Sequence, residues 1–381
     1  MTDSSLVVYW HEQCLSHVVP DGAFSLPGTE LLAVDEPHPD RPARLSNVKR
    51  LVERTLADVA TITSAPPATD RDLAAVHDTA YLESLRACGA SGPVRLTPTT
   101  VATTETYDAA RHAAGASIAA AEHAVTDGID PVPYALIRPS GHHAQPAQAD
   151  GFCFVNNVAV AAERLRATGQ ADRVAIVDWD VHHGNGTQEI FYDRDDVLVV
   201  SLHNDHGSWD AEYHPQTGSR DERGVDDGEG YTVNVPLPFG TGDDGYAAAF
   251  DRLVEPVVTQ FDPDLLLVSA GQDPGARDPL GRNVVTTAGF RRLGSRVRQL
   301  AESTAGSRLA LIQEGGYQLT HFSFSTLAVL AGAGAVDPSF QDVNAEYDLE
   351  NDPFAWPSAN DSLAAEWIQR AVRSHAAHWD L

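Results

Sequence analysis

Six short runs of apolar residues, each ended by polar residues, glycine or proline, constrain the fold of this chain more than any other feature. A strand with one face in water alternates apolar and polar residues, whereas a strand in a sheet covered on both faces is apolar throughout. These runs are of the second kind. They occupy residues 132–141, 173–184, 196–204, 231–238, 263–273 and 308–316.

Segments with helical periodicity lie between the runs, at residues 106–125, 156–169, 245–261 and 287–304. This alternation predicts an α/β fold with an open, mainly parallel central sheet flanked by helices. Because no fixed repeat or low-complexity linker divides residues 1–381, a single domain is favoured. Its last part, residues 336–381, is predicted to hold an irregular acidic stretch and then a helix near 361–378 that packs on the body.

The charge balance is strongly acidic, with 54 acidic against 26 basic residues, a formal net charge of −28 and one lysine, Lys49. It argues against nucleic acid and anionic membranes as partners, since both require positive patches. Such a surface is typical of proteins adapted to molar salt, where a screening length of about 3 Å suppresses self-repulsion. A halophilic protein is therefore predicted, with an acidic enzyme from a GC-rich genome as the alternative.

Cysteine usage and the N-terminal segment bear on the compartment. Cys14, Cys88 and Cys153 are odd in number and irregularly spaced, which predicts reduced thiols rather than a disulfide framework. The chain begins without a signal-peptide pattern and holds no run of about 18 apolar residues. The prediction is a soluble, cytoplasmic protein.

Polar side chains stand where the predicted strands end, which is where ligands bind in open α/β sheets. Asp178, Asp180 and His182 follow one strand at a spacing of two, and Asp273 follows another. Two carboxylates and one imidazole leave a coordination position for water, as a catalytic zinc requires. For Asp180 and His182 taken alone, helix capping and loop hydrogen bonds are the alternative explanation.

Two further motifs supply groups for proton transfer. His142 and His143 follow a predicted strand, and imidazole is suited to accepting and returning a proton near neutral pH. Tyr317 follows two glycines, and a phenol facing a metal ion would stabilise an oxyanion. Ordinary loop positions are the alternative for all three residues.

Taken together, six ordered motifs resemble those of the zinc-dependent histone deacetylase family, in its class II and acetylpolyamine amidohydrolase branch. The similarity spans residues 36 to 330, approximately. The motifs are RPSGHHA, GFCFVNNVAVAA, VDWDVHHGNGTQEIFY, GYTVNVPLPFGTGD, VSAGQDPGARDPLGR and EGGY.

The resemblance implies a role for each matching residue. The implied zinc ligands are Asp180, His182 and Asp273, and the implied catalytic residues are His142, His143, Asp178 and Tyr317. Tyr317 would polarise the acyl carbonyl, and His143 would be the main general base and acid. His142, held by Asp178, would be its electrostatic partner, although the spacing leaves open which imidazole moves the proton.

The resemblance also implies substrate and monovalent-cation sites. The implied substrate-binding residues are Gly151, Phe152 and Gly315, with Trp209 or Tyr213 as the wall opposite Phe152. One cation site, for potassium, would use Asp178, Asp180, His182, Ser201 and Leu202. The other would use the backbone around Phe191, Arg194, Val197 and Tyr231.

Several positions depart from the common family pattern or match it weakly. Asn185 replaces an aspartate beside the second histidine, which predicts a less basic His143. Gln272 precedes the zinc aspartate where an aromatic residue is common, which predicts a more polar cleft. Thr99 stands near the place of a rim acid that clamps peptide substrates. His77 and either Arg41 or Arg44 match family positions near the entrance or an internal channel, with capping and surface ion pairing as alternatives.

The predicted function is that of a zinc-dependent amidohydrolase, with ferrous iron as the alternative metal in the cell, that deacetylates an acylated amine with metal-activated water and releases acetate. Protein acetyl-lysine, acetylpolyamines and other small acylated amines remain open as substrates, as does a homo-oligomer. One alternative is a catalytically silent acyl-lysine-binding protein. Another is a ureohydrolase-like enzyme, which would need an aspartate where Gly184 stands.

Overall fold

The structure, a computed structural model, describes residues 5–22, 33–205, 214–338 and 359–381. Its centre is an eight-stranded parallel sheet with the strand order β2-β1-β5-β10-β9-β6-β7-β8. These strands are β1 Leu6–Tyr9, β2 Ala60–Thr63, β5 Val132–Ala135, β6 Val174–Asp178, β7 Val197–Asn204, β8 Thr232–Leu237, β9 Leu265–Ala270 and β10 Leu309–Gln313. A separate antiparallel pair comprises β3 Val94–Arg95 and β4 Val101–Ala102.

Helices cover the sheet. They are α1 Ala43–Thr55, α2 Asp70–Ala74, α3 Thr79–Ala87, α4 Thr106–Thr126, α5 Asn157–Ala167, α6 Asn185–Phe191, α7 Asp243–Ala249, α8 Glu255–Phe261, α9 Thr287–Ser303, α10 Leu319–Ala333 and α11 Asp361–His375. Within the described ranges, none of them is long and apolar enough to cross a membrane.

The predicted fold class is confirmed, and each of the six apolar runs contains a strand of the sheet. Every residue of β6 and of β9 is buried, as continuous apolar strands between two helical layers require. The other two strands, β1 and β2, were not predicted. Both have only four residues, and no residue of β2 is fully buried.

The predicted helix over 245–261 is divided into α7 and α8 by a wide turn at Phe250–Val254 with π-helical hydrogen bonds. Pro256 at the start of α8 explains the division, because proline has no N–H to continue the α-helical pattern. The other three predicted helices correspond to α4, α5 and α9.

The predicted C-terminal helix is present as α11 and packs against β8 and α7. Ile368 on its inner face is fully buried, and the indole of Trp379 donates a hydrogen bond to the carbonyl of Gly230 at 2.9 Å. The irregular segment predicted before it falls largely at residues 339–358, outside the described residues.

Parallel strands place their carboxyl ends at one edge of the sheet. Because β5, β10, β9 and β6 are consecutive in the sheet, the four loops that follow them meet there. All the predicted catalytic and metal-binding residues lie on or directly beside these loops.

Candidate active site

The two aspartates and the histidine predicted to bind zinc lie together. The ligand atoms of Asp180, His182 and Asp273 are within 4.8 Å of one another. His182 Nδ1 is 3.0 Å from Asp273 Oδ2 and 3.2 Å from Asp180 Oδ1. All three side chains are buried, and a mixed carboxylate and imidazole set of this kind suits Zn²⁺ or Fe²⁺.

Successive turns after β6 arrange this cluster. The strand ends at Asp178, whose Oδ1 accepts a hydrogen bond from the N–H of Asp180 at 2.9 Å. Asp180 Oδ1 in turn accepts one from the N–H of His182 at 3.0 Å. These side-chain to backbone hydrogen bonds hold Asp178, Asp180 and His182 close together.

Backbone groups hold the outer oxygens of the two aspartates. Gly315 N–H donates to Asp180 Oδ2 at 2.8 Å, and Val181 N–H donates to Asp273 Oδ1 at 2.8 Å. A Cβ atom on Gly315 would lie 2.2 Å from Asp273 Oδ2. Gly315, predicted to bind substrate, is thus in contact with the candidate metal ligands, and the site has no room for a side chain there.

Burial and mutual charge make this cluster favourable for a cation. Burial, reinforced by the Asp180 carboxylate, raises the pKa of Asp273 to about 8. Burial alone would lower the pKa of His182, but its hydrogen bonds with Asp180 and Asp273 raise it to about 10. A divalent ion between these carboxylates would offset their repulsion, and the donor set therefore fits the implied metal.

The two tandem histidines lie beside the cluster, with ring centroids 4.0 Å apart. His142 Nδ1 is 3.0 Å from Asp178 Oδ2, and His143 Nδ1 is 2.7 Å from Asn185 Oδ1. Burial alone would lower the pKa of His142, but Asp180 and Asp178 raise it well above its ordinary value. Burial and the charge of His142 instead lower the pKa of His143. These surroundings favour the charged form of His142 and the neutral form of His143.

Tyr317 lies in the turn after β10. Its N–H donates a hydrogen bond to Asp278 Oδ2 at 2.6 Å, and the guanidinium of buried Arg44 lies 4.9 Å from its ring centroid. Burial and the charges of Asp273 and Asp180 raise the pKa of its hydroxyl well above the ordinary value. The phenol therefore keeps its proton and can act as a hydrogen-bond donor.

The turn at residues 150–152 presents the predicted substrate-binding residues. A Cβ on Gly151 would lie 2.2 Å from the ring of His143, so only glycine fits against that imidazole. Phe152 has a φ of 68°, a strained conformation for a bulky residue, and its ring centroid is 5.7 Å from that of Tyr317. The ring of Phe152 thus lies at the cleft, beside the phenol.

His214 also lies beside this turn, and the sequence motifs do not single it out. Its Nδ1 is 2.6 Å from Asp150 Oδ2, and its ring centroid is 5.7 Å from that of His143. Trp209 and Tyr213, the residues predicted for the second wall, lie outside the described residues. The available signals were the aspartate before Gly151 and the histidine directly after Tyr213.

The departures from the family pattern take definite positions. Thr100, beside Thr99, accepts a hydrogen bond from the N–H of Phe152 at 3.1 Å, so this loop borders the cleft. The prediction that Gln272 makes the cleft more polar is wrong. Its amide donates to the Ala270 carbonyl at 2.7 Å and accepts from Gln313 at 2.7 Å, because it faces the interior between β9 and β10.

His77 and Arg44, the weaker candidates near the entrance, connect buried segments of the chain by hydrogen bonds. His77 Nδ1 is 2.9 Å from the Gln145 carbonyl, and its Nε2 accepts the N–H of Asn156 at 2.9 Å. Arg44 pairs with Asp40 and donates to the Glu314 carbonyl at 2.8 Å. Arg44 is fully buried, so a surface ion pair is excluded for it.

The positions predicted for monovalent cations lie at both ends of β7. Ser201 pairs with Asp178 in the register of β6 and β7, and Leu202 follows it. Near the start of β7, the N–H of Arg194 donates to the carbonyl of Phe191 at 3.2 Å. The carbonyl of Tyr231 accepts a hydrogen bond at 2.9 Å from the N–H of Val199, the second residue after Val197. That these positions bind potassium remains a prediction.

Position 184 has no space for the aspartate that a two-metal ureohydrolase site would need. A Cβ on Gly184 would lie 2.6 Å from Asp178 Oδ2 and 3.3 Å from His142 Nδ1. The geometry therefore argues against a second ion held by a residue at position 184.

Comparison with known proteins gives consistent matches. The histone deacetylase domain model matches residues 38–333. Histone deacetylase 8 of Arabidopsis thaliana is 41% identical over 356 residues, covering 92% of this chain and 93% of that protein. A histone deacetylase-like amidohydrolase of Pseudomonas aeruginosa is 40% identical over 337 residues, covering 88% of this chain and 87% of that protein. The crystal structure of the HDA15 HD domain superposes with a TM-score of 0.81 at 34% identity, covering 99% of this chain and 96% of that one.

These matches, together with the fold, define the class of protein as a hydrolase that acts on amide bonds. Within that class, the chain belongs to the histone deacetylase family. The resemblance stated from the sequence motifs is thereby confirmed.

Proposed function

We propose that the protein is a metal-dependent deacylase that hydrolyses the amide of a small acylated amine, releasing a short carboxylate such as acetate. One observation carries the proposal: Asp180, His182 and Asp273 converge on a single point in a buried cleft that also holds Tyr317 and the tandem histidines. Family membership supports amide hydrolysis, and the donor set supports one divalent ion.

Asp180, His182 and Asp273 would hold the ion. When bound, Zn²⁺ or Fe²⁺ would supply a Lewis acid that lowers the pKa of water and polarises a carbonyl. The backbone donors at Val181 and Gly315 would keep the two carboxylates oriented, as outer hydrogen bonds commonly do at metal sites.

Tyr317 and His143 would perform the hydrogen-bonding and proton-transfer steps. The protonated phenol would donate to the substrate oxygen as negative charge develops there. Neutral His143, oriented by Asn185, would accept a proton from the attacking water and return it to the leaving amine nitrogen. His142, kept cationic by Asp178, would stabilise the developing negative charge.

The rim of the cleft favours a small acylated amine over a peptide. Thr99 occupies the approximate place of the family's rim acid, and its hydroxyl lies 3.5 Å from that of Thr97 and 3.4 Å from that of Thr100. A neutral threonine accepts peptide N–H groups more weakly than a carboxylate does. The peptide backbone of an acetyl-lysine substrate would therefore be held weakly.

A hydrolysis screen tests the proposal. The substrates are acetylputrescine, acetylspermidine, acetyl-lysine peptides and simple esters, offered to metal-free protein with and without one equivalent of Zn²⁺ in dilute and molar KCl. We expect turnover that depends on the metal and is fastest with a small acetylated amine.

Matched variants locate the activity. Asp273→Asn should abolish metal-dependent turnover, and His143→Ala should reduce it at least about a hundredfold. The same amide substitution at exposed Asp262 serves as the control and should retain full activity. Turnover that is equal without metal, or unaffected by Asp273→Asn, would overturn the proposal.

A further inference from the structure

A second group of side chains able to bind a metal lies beside the candidate catalytic cluster. Ligand atoms of His142, Cys153 and Glu314 lie within 4.8 Å of one another. Cys153 and Glu314 are fully buried, and His142 is 2% exposed. Neither Cys153 nor Glu314 has a part in the proposed reaction, and this group contains a sulfur ligand that the first cluster lacks.

Glu314 gives this group a buried oxygen that no donor among the described residues contacts. Its Oε2 accepts hydrogen bonds from the N–H groups of Gly141 at 2.7 Å and His142 at 3.3 Å. Its Oε1 is buried and accepts no hydrogen bond from any described group. A buried carboxylate oxygen without a partner is costly, and a bound ion or water is the usual explanation.

The surrounding charge favours a cation. Asp178 lies 3.0 Å from one ring nitrogen of His142, and Asp180 lies 3.7 Å from the other. Glu314 adds a third carboxyl group to the same buried region. The attraction of these groups for a divalent ion is strong because burial reduces solvent screening.

We infer that His142, Cys153 and Glu314 form a second binding site, for a borderline or soft divalent ion such as Zn²⁺, separate from the Asp180–His182–Asp273 site. Thiolate, imidazole and carboxylate are the three ligand types that zinc combines in proteins. Their usual bond lengths of about 2.0–2.3 Å require only a small inward movement of the three side chains. Binding releases the proton of the Cys153 thiol to solvent.

Occupation of this site inhibits the enzyme. A metal ion bound to a ring nitrogen of His142 takes the place of a proton there, so the ring beside His143 is no longer an imidazolium. This consequence rests on the proposed function, whereas the binding itself does not. Zinc beyond the first equivalent should therefore lower the turnover of acylated amines at least about tenfold.

Titration of the metal-free protein with Co²⁺ tests the binding, because a cobalt–thiolate bond gives a charge-transfer absorption that oxygen and nitrogen ligands do not. The wild-type protein should bind two equivalents and show this band. Cys153→Ser should bind one equivalent without the band, and Asp273→Asn should bind one equivalent with it. Cys14→Ser changes another buried cysteine and should behave as wild type.

Each outcome decides between the possibilities. A single bound equivalent without the band, or a band that survives Cys153→Ser, overturns the second site and indicates a buried water at Glu314. Glu314→Gln keeps an oxygen for the N–H groups of Gly141 and His142, and it should weaken the binding of the second Co²⁺ at least about tenfold. This variant tests the site if Cys153→Ser does not fold. Two equivalents with the band but no hydrolysis of any acylated amine would refute the proposed function alone. Hydrolysis with one equivalent, and no second one, would refute the second site alone.

Discussion

The hydroxyl of Tyr317 is a single oxygen atom on which much of the proposed chemistry depends. Tyr317→Phe removes that oxygen and keeps the ring contacts with Phe152 and Arg44. Turnover should fall at least about a hundredfold with little change in KM, because the lost hydrogen bond forms mainly in the transition state. Steady-state kinetics on an acetylated amine would measure this.

Tyr107→Phe is the matched control. It removes a phenol that bonds the exposed side chains of Arg86 and Asp70, neither of which belongs to the candidate site, and should leave kcat unchanged. Full turnover in Tyr317→Phe would show that the oxyanion is stabilised by other groups.

His77 makes an individual contribution to the pH dependence of stability. Burial lowers its pKa from about 6.5 to about 4, although its hydrogen bond to the Gln145 carbonyl favours the charged form. As the pH falls through about 6.5, His77 therefore binds a proton in the unfolded chain, whereas in the folded chain it binds one only near pH 4. The stability that the neutral ring provides is present above that pH and is lost as the pH falls towards 4.

His77→Gln should remove this dependence, since an amide can donate to the Gln145 carbonyl and accept from Asn156 without titrating. Between pH 7 and pH 5, its free energy of unfolding should fall by about 2 kcal/mol less than that of the wild type. Urea unfolding at both pH values measures the difference. Parallel losses in the two proteins would show that His77 is protonated in the folded state.

At the scale of elements, α11 covers the edge strand β8 with an apolar face. Ile368 lies on that face and is fully buried, whereas Glu366, two residues before it, is exposed. Ile368→Ala should lower the free energy of unfolding by about 3 kcal/mol through lost burial and the cavity left behind. Glu366→Ala should change it by less than about 0.5 kcal/mol. Equal effects in denaturant unfolding would show that α11 does not stabilise the fold.

The sequence predicts the centre of the sheet better than its edge. Strands such as β6 and β9 are apolar throughout because both faces are covered, and such runs are visible in the letters. β2 has no such run, and four half-buried residues carry little periodicity. The sequence shows Pro256 inside a helical pattern, but only the structure shows that a π-helical turn at Phe250–Val254 accommodates it.

Some residues of the candidate site could likewise be predicted from the sequence, and others could not. Asp180, His182 and Asp273 could be predicted because each follows a strand, and parallel strands end at a common edge. His214 and Glu314 could not, because their importance depends on burial and on partners distant in the chain. The sequence does not show whether a side chain at a strand end faces the cleft or the interior, and for this reason the prediction that Gln272 lines the cleft is wrong.

At the scale of the whole molecule, the net charge of −28 makes stability depend on ionic strength. Repulsion among exposed carboxylates extends about 10 Å in 0.1 M salt and about 3 Å in 1 M salt. The melting temperature should therefore rise by at least about 5 °C between dilute buffer and molar KCl. Greatest stability in dilute buffer would contradict adaptation to high salt.

Equal concentrations of NaCl and KCl separate screening from specific binding. Screening alone gives the same melting temperature in both salts. A higher value in KCl would support the cation positions at the ends of β7.

Anomalous X-ray scattering at the zinc edge, from crystals grown with one equivalent of Zn²⁺, measures most directly whether Asp180, His182 and Asp273 bind the metal ion. A peak is expected between Asp180, His182 and Asp273, about 2.0–2.2 Å from one atom of each. A crystal without a peak among these three residues, or with its zinc bound only elsewhere, would contradict this expectation.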